Sequence, residues 1–232
     1  MTWGMFEPSG DGDFWPEGDY IDRESTLDHY FYNVMSEDER QGVNNRPASY
    51  RRFVSDKFTK EIGVPRKWDP TLTPLAEHEQ PSGYQTRRTY KTLGSLIKLD
   101  NRQIAVDQPF KDIIEKLEPG VHQFWPFKIL MPKGKEYPVP YYGIVIGTFL
   151  DAFRPDQSDE GSWDERSGRY TSTNGTKSDV AGLAMSRKAI GAAHLWRERH
   201  LTHPDFYLSD DLQAKIKQVG LRVTKHHKMK DV

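Results

Sequence analysis

The sequence predicts an α+β fold: a mixed or antiparallel sheet with packed amphipathic helices, built from recurring strand–cap–helix units. Three observations predict it. Tyr141–Phe149 is β-branched and aromatic and reads as a buried strand. Twice, a short apolar run leads into a capping residue and then a stripe of apolar residues three or four apart. Aromatic residues make up 12% of the chain although only 35% is apolar and the mean hydropathy is −0.80. That aromatic content opposes disorder and points to a folded, very polar protein.

In chain order, residues 1–40 are punctuated by Gly, Asp and Trp, as in Gly10-Asp11-Gly12-Asp13-Phe14-Trp15-Pro16, and predict turns with a few aromatic anchors. Phe53-Val54-Ser55-Asp56-Lys57-Phe58 reads as a short copy of the strand–cap–helix unit that stops at Gly63. Pro65, Pro70, Pro74 and Pro81 oppose a long helix and suggest a connecting region. The first full unit is Ile104-Ala105-Val106, Asp107, then Phe110, Ile113, Ile114 and Leu117 before Pro119-Gly120. Residues 154–180, polar and poor in large aliphatics, read as a long exposed loop. The second full unit is Phe206-Tyr207-Leu208, Ser209, then Leu212, Ile216 and Val219 before Gly220. Asp210 and Asp211 suit the positive end of its helix, and Gly220 suits a left-handed cap. The expected division is an irregular, acidic N-terminal region over 1–95, packed on an α+β domain over 96–232.

At 232 residues the chain has the length of one large domain or two small ones. Lys plus Arg number 33 and Asp plus Glu 34, so neither nucleic acid nor an anionic membrane is an expected partner. With no cysteine, disulfides, thiolate nucleophiles and Cys-ligated zinc drop out. No apolar stretch approaches bilayer length and the N-terminus does not read as a secretory signal, so the expected location is cytoplasmic.

The near-zero net charge hides blocks. Residues 1–40 carry eleven acids against two arginines, whereas 41–70 have an excess of four positive charges. Residues 151–165 have an excess of five negative charges and 215–232 of five positive ones. Either the blocks face one another or stay solvated, or an acidic face receives a basic partner. The sequence leaves both open.

Catalytic motifs are weak. A phosphate-binding Gly-rich loop, a Rossmann fingerprint, a Gly-x-Ser-x-Gly elbow and a His-Glu-x-x-His pattern are all missing. His200 and His203 are three apart, but Pro204 and the lack of a completing ligand argue against a metal. His226-His227 sits in a basic tail and reads as surface. Asp11-x-Asp13 has Asp22, not Glu, at the twelfth position that calcium needs. Asp159, Glu160, Asp164 and Glu165 lack the apolar walls that would separate their pKa values for acid–base work. The six tryptophans, Trp3, Trp15, Trp68, Trp125, Trp163 and Trp196, read first as packing, and Trp125 most clearly as core. Trp163, among acids and glycines, is the one expected to anchor a partner.

Three segments together resemble immunity proteins of bacterial polymorphic-toxin systems, in the group called immunity protein eleven. They are Ile104–Asp107 with its helix and Val121-His122-Gln123-Phe124-Trp125-Pro126; Tyr141–Phe149 running into Asp151-Ala152-Phe153; and Ala189-Ile190-Gly191-Ala192-Ala193-His194-Leu195-Trp196-Arg197 leading to Phe206–Leu212 and Gly220-Leu221. The resemblance implies a cytoplasmic antidote, with no enzymatic activity and no cofactor, that binds a cognate toxin domain, often a nuclease encoded next door. It supplies no site residues.

The residues themselves suggest two faces. Asp11, Asp13, Glu17 and Asp19, or Asp156, Asp159, Glu160 and Asp164, would steer a basic toxin. Trp15 or Trp163 would then supply short-range energy. The alternatives are a metal-assisted hydrolase using His200 and His203, or a structural adaptor of a secretion or phage-like assembly. The expectation for assembly leans to a monomer.

Overall fold

A computed structural model describes residues 1–59, 74–166 and 168–232. Gly63, Pro65, Trp68 and Pro70 lie outside the described residues. By Cα proximity the chain forms two units that interleave: Met1–Ser9, Pro109–His122 and Ile146–Val232 make unit 1, and Gly10–Gln108 with Gln123–Val145 make unit 2. Among the described residues there are seven α-helices and sixteen strands in mixed sheets, which is the α+β class.

Unit 1 holds a five-stranded sheet. Its strands are β1 (Thr2–Met5), β9 (Phe149–Leu150), β13 (Leu195–Glu198), β14 (Phe206–Ser209) and β15 (His226–Lys228), in the order β15-β1-β14-β13-β9. β1 pairs antiparallel with β14, from Thr2 opposite Ser209 to Met5 opposite Phe206. Phe206, Tyr207 and Leu208 are fully buried, and Trp196 stacks on Tyr207 at 5.9 Å. The second strand–cap–helix unit stands as read except for Val219, which is exposed at the helix end and not part of the buried stripe. Ser209 Oγ accepts the Leu212 N–H at 3.1 Å and α7 (Asp210–Val219) buries Leu212 and Ile216. Gly220, at φ 74°, closes it in the left-handed conformation that a side chain would strain. The chain enters the first unit's helix, α4 (Gln108–Leu117), from β5 (Ile104–Asp107); Phe110 and Ile114 form its buried stripe.

Three expectations fail in unit 1. The stretch 154–180 is not one loop. It contains β10 (Trp163–Arg166) paired with β11 (Arg169–Ser172), and α5 (Lys177–Gly182). The reason is local: Trp163 and Tyr170 pack edge to face at 5.2 Å, and Thr176 and Asp179 form a reciprocal capping box. His226 and His227 are half-buried, not surface residues of a tail, because β15 pairs with β1. Their rings meet Trp3 at 5.8 Å and Phe6 at 6.4 Å. Tyr141–Phe149 is also not one strand: β8 (Tyr141–Val145) stops, and β9 begins after three intervening residues. Between them Gly147 approaches the Val121 backbone so closely that a Cβ would lie 1.8 Å from the Val121 carbonyl oxygen. The remaining elements are α6 (Arg187–Ile190) and the parallel pair β12 (Ala184–Met185) and β16 (Lys230–Asp231).

Unit 2 is a second sheet, ordered β2-β3-β6-β8-β5-β4. Here β2 is Gly18–Tyr20, β3 Gly83–Thr86, β4 Leu96–Lys98 and β6 Gln123–Met131; β7 (Lys135–Glu136) joins the end of β6. Trp125 is 5% exposed, as read, and lies opposite Gly143, where a Cβ would come within 2.1 Å of the indole. Its Nε1 donates to the Pro81 carbonyl at 3.0 Å. Residues 1–40 are more regular than their punctuation suggests: α1 (Arg23–Asn33) buries Leu27 and Phe31, and α2 (Glu37–Gly42) starts at a Ser36–Glu39 capping box. Phe53–Phe58 is not a strand–cap–helix copy but part of one helix, α3 (Pro47–Thr59). Ser55 there bonds back to the Arg51 carbonyl at 3.0 Å instead of capping.

Candidate partner-binding surfaces

The first acidic set lies in unit 2 on the turn that leads to β2. Gly12 and Trp15 exchange backbone hydrogen bonds at 2.8 and 3.1 Å, which presents Asp13 and Phe14 at a tight reversal. Asp13 accepts from Thr92 Oγ1 at 3.1 Å, and Lys98 Nζ covers the half-buried Trp15 ring at 4.1 Å. Glu17 and Asp19 both face Arg87, at 2.9 and 3.3 Å. Asp11 is exposed. Much of this set's charge is thus already spent inside the unit.

The second set lies in unit 1 around β10. Asp159 takes Lys230 Nζ at 2.9 Å, and its backbone N–H bonds to Gly182. Asp156 and Glu160 are exposed, Asp164 is half-exposed, and these three carboxylates have no ion pair or side-chain hydrogen bond among the described residues. Trp163 stands half-buried between Phe153 and Tyr170, at 6.4 and 5.2 Å. Its ring is therefore held rigidly from below and retains an open side. Rigid aromatics ringed by polar groups are the usual energetic centres of protein interfaces.

Unit 1 also carries two buried carboxylates. Glu118 accepts from His122 Nε2 (2.8 Å), His194 N (2.8 Å) and Leu195 N (2.9 Å). His122 Nδ1 in turn accepts the Gly147 N–H at 3.1 Å, which assigns the ring proton to Nε2. Burial pushes the Glu118 carboxyl up, but those three donors outweigh it and hold its pKa below the ordinary value. Glu198 is different: burial raises it to about 7, against the N–H of Ala152 at 2.9 Å. His200 and His203 do not converge on one point. His200 lies 3.8 Å from Asp151 and His203 lies 3.2 Å from Asp205. Among the described residues no three His, Cys, Asp or Glu side chains are grouped to hold a metal, and no helix is long and apolar enough to cross a membrane.

A further surface escapes the motif search. In unit 2 a cleft of about 440 Å³ is lined by Arg23, Arg51, Arg52 and Arg102 with Glu24 and Asp56. The one sequence signal for it is the positive block over 41–70, because the four arginines come from three separate segments.

A model of the Imm11 immunity protein family matches residues 65–231, and the chain belongs to that family. No curated protein matches it.

Proposed function

From that membership we propose that the chain is a cytoplasmic immunity protein, without enzymatic activity, that neutralises a cognate bacterial toxin by occluding the toxin's active site. A toxin with a basic surface, such as a nuclease, fits the acidic faces. The observation that carries the choice of face is the contrast between the two acidic sets. Asp156, Glu160 and Asp164 lie within seven positions of the braced Trp163, have no ion pair among the described residues, and fall within the family-matched segment. Glu17 and Asp19 are paired with Arg87 and precede that segment. Unpaired acids set the encounter rate, and the aromatic then slows dissociation.

The test starts with the product of the neighbouring gene. Co-expression with this chain should abolish that product's toxicity; unrelieved toxicity removes the immunity role for that pair. With the purified pair, D156K/E160K/D164K should slow association about tenfold or more at low salt, with the difference shrinking at high salt. Trp163→Ala should mainly speed dissociation. If the triple reversal leaves association unchanged while D11K/D13K slows it, the face is the other one and the inhibitor role stands.

A further inference from the structure

We propose that the arginine-lined cleft of unit 2 is a binding site for a small phosphate oxyanion of the pyrophosphate class. Arg23 is the starting point. It is 5% exposed and, among the described residues, forms no ion pair; its Nη2 donates to neutral acceptors, the Arg51 carbonyl at 3.1 Å and Ser55 Oγ at 2.6 Å. Its Nε is buried without a partner, and the Tyr20 ring face, 5.5 Å away, is the nearest compensation. A buried guanidinium with no carboxylate in direct contact is costly, and burial lowers its pKa despite the more distant Glu24 charge. The cost has an evident use if an anion occupies the cleft that Arg23 lines.

The rest of the lining supports that. Arg52, exposed on α3, has no ion pair among the described residues, and Arg51 is engaged by Glu24 at 2.9 Å. Arg102 comes from the β4–β5 connection, where Asn101 and Arg102 take successive left-handed conformations at φ 55° and 62°. Such backbone is strained for residues that carry a side chain and tends to persist where it places that side chain for use. Among the described lining residues, four arginines face Glu24 and Asp56, an excess of two positive charges.

The lining also decides the ligand class. Among the described residues Ala48 is its one apolar side chain, so the described lining offers no wall to stack a base and no pocket for a protein anchor residue. A planar carboxylate is satisfied by one guanidinium fork. A tetrahedral, multiply charged phosphate accepts from several directions, which suits guanidiniums arriving from α1, α3 and the β4–β5 connection.

Calorimetric titration of the full chain at low salt with sodium pyrophosphate is the test, with inorganic phosphate and citrate as comparison arms. Saturable one-to-one binding is expected, weaker for phosphate and weaker still for citrate. Arg52→Gln and Arg102→Gln, both at exposed positions, should each weaken it about tenfold, the effect of losing one charge-assisted hydrogen bond. Arg23→Met should weaken it at least as much, with near-ultraviolet circular dichroism confirming an intact fold. No saturable binding up to about 10 mM, affinity untouched by Arg52→Gln and Arg102→Gln, or citrate binding as tightly as pyrophosphate would each overturn the assignment. The immunity role does not depend on the outcome.

Discussion

Glu118 in unit 1 and Arg23 in unit 2 are both buried charges, 7% and 5% exposed, treated in opposite ways. Glu118 receives three N–H donors that tie α4's end to β13, and its pKa moves toward the charged form. Arg23 receives neutral acceptors, keeps a donor unmet and sees its pKa move toward the neutral form. Burial alone therefore does not distinguish a structural charge from a functional one; the count of satisfied partners does. A fully satisfied charge holds the fold together. An under-satisfied one on a cavity wall marks where something else binds.

The largest test of that contrast is Glu118→Ala. It strands the His194 and Leu195 amides and His122 Nε2, and should remove about 3–5 kcal/mol in urea unfolding with an unchanged m-value. A loss under about 1 kcal/mol would break the comparison at its stronger end.

Glu198 sharpens it within unit 1 through pH. Its folded pKa of about 7 lies above the unfolded 4.5, so the folded state holds its proton more tightly. Its stabilising contribution is complete below about pH 4.5 and is lost as pH rises toward 7, a fall of roughly 3 kcal/mol that Glu198→Gln should erase. Glu118, with a depressed pKa, has the reverse sign: its contribution is present above the ordinary carboxylate range and lost as acid protonates it. Chemical denaturation across roughly pH 2–8 in both variants separates the two, Glu198 above the ordinary carboxylate pKa and Glu118 below it.

Smaller effects follow. Ser209→Ala removes the α7 cap and the Oγ partner of His194 Nδ1 (2.7 Å) and should cost about 1 kcal/mol. Arg23→Met should change stability by no more than about 1 kcal/mol, because it deletes an uncompensated charge while Ser55 Oγ keeps its bond to Arg51. A loss as large as that of Glu118→Ala would show that Arg23 is structural after all.

How far the sequence reveals this follows from the range of the forces involved. β14, Ser209, α7 and Gly220 are legible because apolar run, cap, stripe and left-handed stop all act within fifteen residues. Trp125 is legible as core because a large apolar ring has little alternative. The β10–β11 pairing is hidden because its stabilising partners are one aromatic from each strand and not a periodic pattern. Ser55-Asp56 misleads because cap residues also occur inside helices, where Ser55 bonds back to its own backbone. The break after Val145 depends on Val121 approaching Gly147, a tertiary event. Of the candidate surfaces, the acids and Trp163 are visible by composition alone. The Arg23 cleft is not, since its members lie as far apart as positions 23 and 102.

The pairing of Thr2–Met5 with Phe206–Ser209 also sets a clock. A ribosome adding roughly 5–20 residues per second needs on the order of ten seconds or longer between making those two strands. Throughout that interval the opening strand of unit 1's sheet has no neighbour to zip to. A newly translated molecule is therefore unable to complete this sheet until Phe206–Ser209 and His226–Lys228 have emerged. A cell relying on it for protection would be served by the stock already made, not by chains still in synthesis.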